Sequence, residues 1–302
     1  MKQTQNLYEV LSSNSKHISS RYLDQLYNEY FHMNWLRPET ALYYFYLSKA
    51  MYKFMYHFKQ PILDLGCGDG TFMTTFFGGI FDKKTDSYRN VNLNKKDIYD
   101  NFAPLKDDIV FHKPTERLYG LDIRENLVKT ARDLKTYKLV KTGDVREIPY
   151  KNKFFNTVYC NMINDIKNEY LSKVFSEIYR VLKDNGFLIF TTPTEDFLDC
   201  LYYKKTVWTV RPISFWKKFL KEEGFEPVAY EPFMDEKLLK FWDTGFRPYF
   251  KDLLKIVRKN KCIPELKTVY VEILKNYFFD YVNRPLEGKI GFILVVAKKV
   301  NK

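Results

Sequence analysis

Apolar positions fall first into a helical regime and then into short runs alternating with helical stretches. Between Arg21 and Phe58, Leu23, Leu26, Tyr27, Tyr30 and Phe31 recur at three- and four-residue spacing, which predicts an amphipathic helix. A second helical run follows Arg37, with Pro38 suited to a first turn; it carries Leu42, Phe45, Tyr46, Ala50, Tyr52, Phe54 and Met55 on a wide apolar face. Strand-sized runs then occupy residues 61–65, 117–123, 138–142, 155–160 and 187–192. Helical spacing fills 126–134 and 170–182, the second closed by Lys183-Asp-Asn-Gly186 as a C-terminal stop. Strands alternating with helices predict an α/β fold with a parallel sheet and helices on both faces.

Two segments interrupt the alternation. Residues 78–116 are polar, with seven Lys/Arg against seven Asp/Glu over residues 80–116, and read as an insertion after the first helix of the sheet domain. Residues 232–288 read as a second, helical insertion, with helical patterns at 246–257 and 264–282, between candidate strands at 225–230 and 290–297. The division that results is an N-terminal helical cap over residues 1–60 and a sheet domain over 61–302 with insertions at about 78–116 and 232–288.

Composition narrows the class. Of 302 residues, 45% are hydrophobic and 28% charged, the balance of a chain that buries a core. The longest apolar stretches are strand-sized, far from the ~20 residues that span a bilayer, and residues 1–20 lack a secretory pattern; a cytoplasmic protein without integral membrane association is expected. Cys67, Cys160, Cys200 and Cys262 are scattered, which indicates neither a disulfide framework nor a metal site. The net charge of +12 raises nucleic acid as a partner, yet Lys, Asn, Tyr, Phe and Ile are abundant throughout, and such a bias raises charge without any partner.

The most informative segment is Pro61-Ile-Leu-Asp-Leu-Gly-Cys-Gly-Asp-Gly-Thr, an apolar strand running into Gly66-x-Gly68-x-Gly70 and a helical pattern. A glycine turn between strand and helix lets a ligand approach backbone N–H groups. The spacing is GxGxG rather than the dinucleotide GxGxxG, and Asp64 stands two positions before the first glycine. A ligand with a cationic sulfonium and amino group, and no phosphate, suits acidic residues and carbonyl oxygens better than a helix N-terminus. Asp122, at the end of the next strand, is placed to accept bonds from ribose hydroxyls, with apolar Ile123 after it, and Gly143-Asp144-Val145 follows the third strand.

The runs LDLGCGDG, YGLDIRENLVKTAR, GDVREIPYKNKFFNTVYCNMI and EIYRVLKDNGFLIFTTP resemble, in order, the successive motifs of class I S-adenosylmethionine-dependent methyltransferases, the last run being similar to the small-molecule branch. The resemblance covers about residues 61–192 without the insertion. It implies a seven-strand Rossmann-like sheet, parallel but for a C-terminal antiparallel strand, and S-adenosylmethionine as cofactor. By that resemblance Gly66, Cys67, Gly68 and Gly70 form the turn against the methionine moiety, organised by Asp64. Asp122 holds the ribose, Ile123 and Val145 pack the adenine, Asp144 binds its amino group, and Asn161 lies beside the sulfonium. Two departures stand out: the acidic residue normally lies ~20 residues past the turn, whereas the insertion delays Asp122, and Asn164-Asp165 replace the Glu-His of many relatives.

Methyl transfer from a sulfonium is an in-line displacement that needs alignment and water exclusion. None of His17, His32, His57 and His112 lies in a core motif, so no general base is assigned. The N-terminal helices, residues 192–211 and the second insertion are expected to build the acceptor pocket, with Trp35, Tyr43, Tyr202, Tyr203, Trp208, Arg211, Trp242, Arg247 and Arg284 as candidates to hold an apolar or acidic acceptor. The second insertion and tail are also basic, residues 231–302 having fifteen Lys/Arg against nine Asp/Glu. The leading expectation is an enzyme that methylates a small molecule, such as a lipid, glycan, quinone or secondary-metabolite intermediate. The alternatives are an RNA methyltransferase and a cofactor-binding module without turnover.

Overall fold

The computed structural model describes residues 20–83, 85, 109–111, 115–161, 163–201, 209–244, 264–282 and 284–301. The chain opens with helices α1 (Ser20–Met33) and α2 (Pro38–Lys53), the second with Pro38 in its first turn. Strand β1 (Ile62–Leu65) leads through the glycine turn into α3 (Thr71–Phe76). The short strands β2 (Ile80–Phe81) and β3 (Ile109–Phe111) pair antiparallel with each other, so the first insertion leaves and rejoins the fold at one point. Then come β4 (Leu118–Asp122), α4 (Glu125–Asp133), β5 (Leu139–Thr142), β6 (Phe155–Cys160), α5 (Asn168–Val181) and β7 (Leu182–Pro193). The chain continues through α6 (Ile213–Glu222), β8 (Phe225–Asp235), α7 (Glu236–Thr244), α8 (Pro264–Val282) and β9 (Ile290–Lys299).

Seven strands form one sheet in the order β5-β4-β1-β6-β7-β9-β8. β1, β4, β5, β6 and β7 run parallel, and β9 lies antiparallel between β7 and β8. The sheet is the parallel one with a C-terminal antiparallel strand that the motifs imply. From β1 the chain moves outward through β4 to β5 and returns to β6 on the other side of β1, so the order reverses there. Open α/β sheets bind ligands in the crevice beyond the strand ends at such a point.

Side chains alternate across the sheet and divide the core in two. Ile62, Tyr159, Ile189, Leu294 and Val296 face one side, where they share an apolar cluster with α1, α2, α3, α4, α7 and α8. Leu63, Leu65, Val158, Cys160, Leu188, Phe190, Ile293 and Val295 face the other, packed on α5 and α6. The first two helices are thus built into the same core as the sheet. On α1, the Tyr22 hydroxyl donates to Phe76 O (2.5 Å) and Glu29 Oε2 accepts from Phe81 N (3.0 Å), which ties the helix to α3 and to β2. Tyr27 donates to Lys275 O on α8.

The second insertion starts directly from β8. Its expected helix at 264–282 coincides with α8; the one at 246–257 lies outside the described residues. The insertion is pinned by Asp235, fully buried at the end of β8, whose carboxylate accepts from Arg284 Nη2 (2.6 Å) and from the backbone N–H of Leu238 (2.9 Å) and Glu287 (2.8 Å). Burial pushes this carboxyl up, but those donors outweigh it and hold it below the usual range. One boundary differs from the sequence pattern: β7 begins at Leu182, directly after α5, so the Lys183–Gly186 stretch read as a helix stop belongs to the strand. There Asn185 takes the left-handed φ of 61°.

Candidate functional site

The segment after β1 is shaped by close approach. Gly66, Gly68 and Gly70 have φ values of 79°, 56° and 79°, in the left-handed region that disfavours any side chain. A Cβ on Gly70 would stand 2.9 Å from the Tyr137 ring and 3.1 Å from the Ala131 Cβ, whereas one on Gly68 would meet no protein atom within 4 Å. Gly70 is therefore small because the protein packs against it, and Gly68 borders open space.

Backbone bonds draw the expected cofactor residues together at the C-terminal ends of β1 and β4. Gly66 N and Cys67 N both donate to Leu121 O (2.7 and 3.1 Å), and Gly143 N donates to Asp122 O (2.9 Å). The Asp122 carboxylate accepts from Gly68 N through Oδ2 (2.8 Å) and from Arg124 N through Oδ1 (2.9 Å). The residue delayed by the insertion is thus bonded directly to the glycine turn, because β4 pairs beside β1 whatever the length of chain between them. Ile123, next in line, is 66% exposed, unusual for an isoleucine at the end of a buried strand. Val145 is half-buried against the α5 side of the core. Asp144 forms a bidentate pair with Arg146 (2.6 Å at the shorter contact), which lowers its carboxyl below the usual range, so it faces its own turn.

Beneath the turn is a buried acidic group. Asp64 is 3% exposed, and burial pushes its carboxyl up to about 7; a bond from Tyr137 opposes that rise and the nearby charge of Asp122 adds to it. Asp69 accepts from Thr71 N (3.0 Å) through Oδ1, while its Oδ2 is buried without a partner, and burial raises its carboxyl too. Asp69 and Tyr137 were not singled out from the sequence. Asp69 sits inside the glycine motif, where its acidity was the available signal; Tyr137 carries no local signal.

A second group of polar side chains lies across the crevice. Asn161, directly after β6, accepts through Oδ1 from the hydroxyls of Tyr43 (2.8 Å) and Thr191 (2.6 Å). Tyr43 comes from α2 and packs edge-on against Phe233 of β8 and Phe292 of β9. Burial raises the Tyr43 hydroxyl well above its ordinary value, so it is a hydrogen-bond donor here and no base.

The other acceptor candidates are placed differently. Trp35 is buried, edge-on to Tyr270 of α8. Arg211 is buried and donates to Asn168 Oδ1 (2.9 Å) and Ile166 O (2.6 Å), bracing the turn after β6. Arg284 is the partner of Asp235. Tyr202, Tyr203, Trp208, Arg247 and the side chain of Trp242 lie outside the described residues, as do His17, His112 and Cys262. Cys67, Cys160 and Cys200 are free and buried. Among the described residues no His, Cys, Asp and Glu gather as a metal site, and no helix is long and apolar enough to cross a membrane.

The methyltransferase-domain family matches this chain over residues 106–190, from β3 through most of β7. Polyketide synthase 42 of Dictyostelium discoideum is 28% identical over 262 residues, 84% of this chain and 8% of that protein. The ribosomal protein L11 methyltransferase of Fusobacterium nucleatum is 36% identical over 90 residues, 27% of each chain. The chain therefore spans well under a third of the length of these curated relatives. Among solved structures, a SAM-dependent methyltransferase from Archaeoglobus fulgidus superposes with a TM-score of 0.46 at 20% identity, covering 84% of this chain and 93% of that one.

Proposed function

We propose that this chain, which matches a methyltransferase domain over residues 106–190, is an S-adenosylmethionine-dependent methyltransferase that methylates a small molecule held between the glycine turn and the Tyr43–Asn161–Thr191 group. The observation that carries this reading is the acid-rich cradle itself. Three carboxyls, Asp64, Asp69 and Asp122, surround a turn whose Gly68 opens on free space. Such a set repels phosphate and attracts a cation, which fits a sulfonium with an ammonium group and fits a dinucleotide poorly. Asp122 would hold the ribose, Ile123 and Val145 would flank the adenine, with Asp144 at its edge, and Asp64, with Cys67 and the glycines, would face the methionine end.

Bound S-adenosylmethionine supplies a methyl group activated by a positively charged, readily leaving sulfur. This chain's part is alignment. Asn161, with both hydroxyl bonds directed to its Oδ1, is held at the end of β6, and Tyr43, Phe233 and Phe292 wall the same corner with aromatic surface that excludes water. No group of this cluster is a ready proton acceptor, which suits an acceptor atom already nucleophilic at neutral pH. A small molecule is supported over a macromolecule by the longer of the two sequence matches, in which the relative is named as a polyketide synthase, and by the apolar walls around Tyr43. The test is methyl incorporation from labelled cofactor, offered to a small-molecule extract and, near physiological salt, to RNA. Labelled small molecules with RNA bare support the reading; label in RNA with sub-micromolar affinity, or cofactor binding with no transfer to any acceptor, refutes it.

A further inference from the structure

Tyr137 reaches the cradle from outside the motifs. It lies between α4 and β5, 73 positions from Asp64, on a loop fixed by Lys138 N donating to Leu118 O (2.8 Å) and by a bond between the Thr136 and Thr74 hydroxyls (2.6 Å). Its ring passes beside two glycines: a Cβ would meet it at 2.9 Å from Gly70 and at 3.3 Å from Gly120. Two absent side chains thus open the path by which the hydroxyl donates to Oδ2 of Asp64 at 2.6 Å. Among the described residues, Oδ1 of Asp64 receives no such bond.

We propose that Tyr137 is a positioning residue for the methionine end of the cofactor: by occupying Oδ2 of Asp64 it orients the carboxylate so that Oδ1 meets the ligand's ammonium group. The proposal rests on the cofactor cradle described above. The bond also favours the charged form of a carboxyl that burial otherwise neutralises. The titratable groups around Asp64 come from every neighbouring element: Asp122 from β4, Cys67 and Asp69 from the turn, Tyr159 from β6 and Tyr137 itself. Burial keeps Cys67, Tyr137 and Tyr159 protonated, and Asp122 disfavours a second negative charge, so Tyr137 is the group whose bond favours ionised Asp64.

The experiment is calorimetric binding of S-adenosylhomocysteine and of methylthioadenosine, which lacks the amino-acid end, to the full chain and to Tyr137→Phe. The variant keeps the ring and loses only the hydroxyl. At neutral pH it should bind S-adenosylhomocysteine about tenfold more weakly, with methylthioadenosine unaffected. The deficit should shrink toward about pH 8.5, where Asp64 ionises in both proteins. Equal affinities, a deficit that methylthioadenosine shares, or a deficit flat with pH overturns the proposal. Should Tyr137→Phe misfold, Asp64→Asn answers instead: it should abolish the rise in S-adenosylhomocysteine affinity between about pH 6 and 8, and a rise that persists overturns the proposal. A wild-type chain that binds neither ligand refutes the cofactor reading itself.

Discussion

Asp64→Asn should make the cofactor-free protein more stable while impairing cofactor binding. Burial raises this carboxyl from 3.8 to about 7, and each unit corresponds to about 1.4 kcal/mol, so holding Asp64 ionised in the fold costs about 4 kcal/mol relative to the unfolded chain. The sign follows from the direction. With the folded value above the unfolded one, the stability Asp64 contributes is fully present below about pH 4 and is lost as pH rises through about 7. Asparagine does not titrate, and its carbonyl can still accept from Tyr137; its extra N–H groups, short of acceptors, offset the gain by about 1–2 kcal/mol. The net expectation is a gain of about 2–3 kcal/mol at pH 8 that disappears near pH 4. Urea unfolding at the two pH values measures it. A variant less stable than wild type at pH 8, or a difference equal at both, would refute the account of Asp64 as a charge buried at the fold's expense.

Three further outcomes follow from the same geometry. Asp122→Ala should weaken S-adenosylmethionine by ~1–3 kcal/mol, and unchanged calorimetric affinity removes Asp122 from the site. Ile123→Ala should lower cofactor affinity severalfold while moving stability by less than about 0.5 kcal/mol, because the side chain is 66% exposed; a large drop in melting temperature would make Ile123 a packing residue instead. Arg284→Ala should cost about 3–5 kcal/mol, since it strands the buried Asp235 charge, and a urea midpoint within error of wild type contradicts that.

What was legible in the sequence was what is local. A strand, a glycine turn and a helix lie within sixteen residues, and the periodicity of residues 264–282 matched α8 to its ends because one segment carries the whole signal. Asp122 could be located because it ends a strand, whatever precedes it. Contacts across the sheet left no trace: Tyr137 finds Asp64 over 73 positions and Tyr43 finds Asn161 over 118, and neither partner's neighbours differ from those of an ordinary core tyrosine. Arg211 shows the converse. As a cation amid aromatics it looked like an anchor for an acceptor, yet its donors close on Ile166 and Asn168, and only the fold of the turn after β6 discloses those acceptors.

The irregular pairing of β8 has a bearing on self-association. At the rim of the sheet, a strand of eleven residues would ordinarily offer its free row of N–H and C=O groups to a neighbouring molecule. Here Pro227 and Pro232 remove two donors, and the register with β9 slips between Pro227 and Ala229, between Pro232 and Met234 and between Met234 and Asp235. The opposite rim, β5, is only four residues long and carries Lys141. Among the described residues, neither border offers a continuous ladder to a further strand, so the sheet's own sequence discourages growth beyond seven strands.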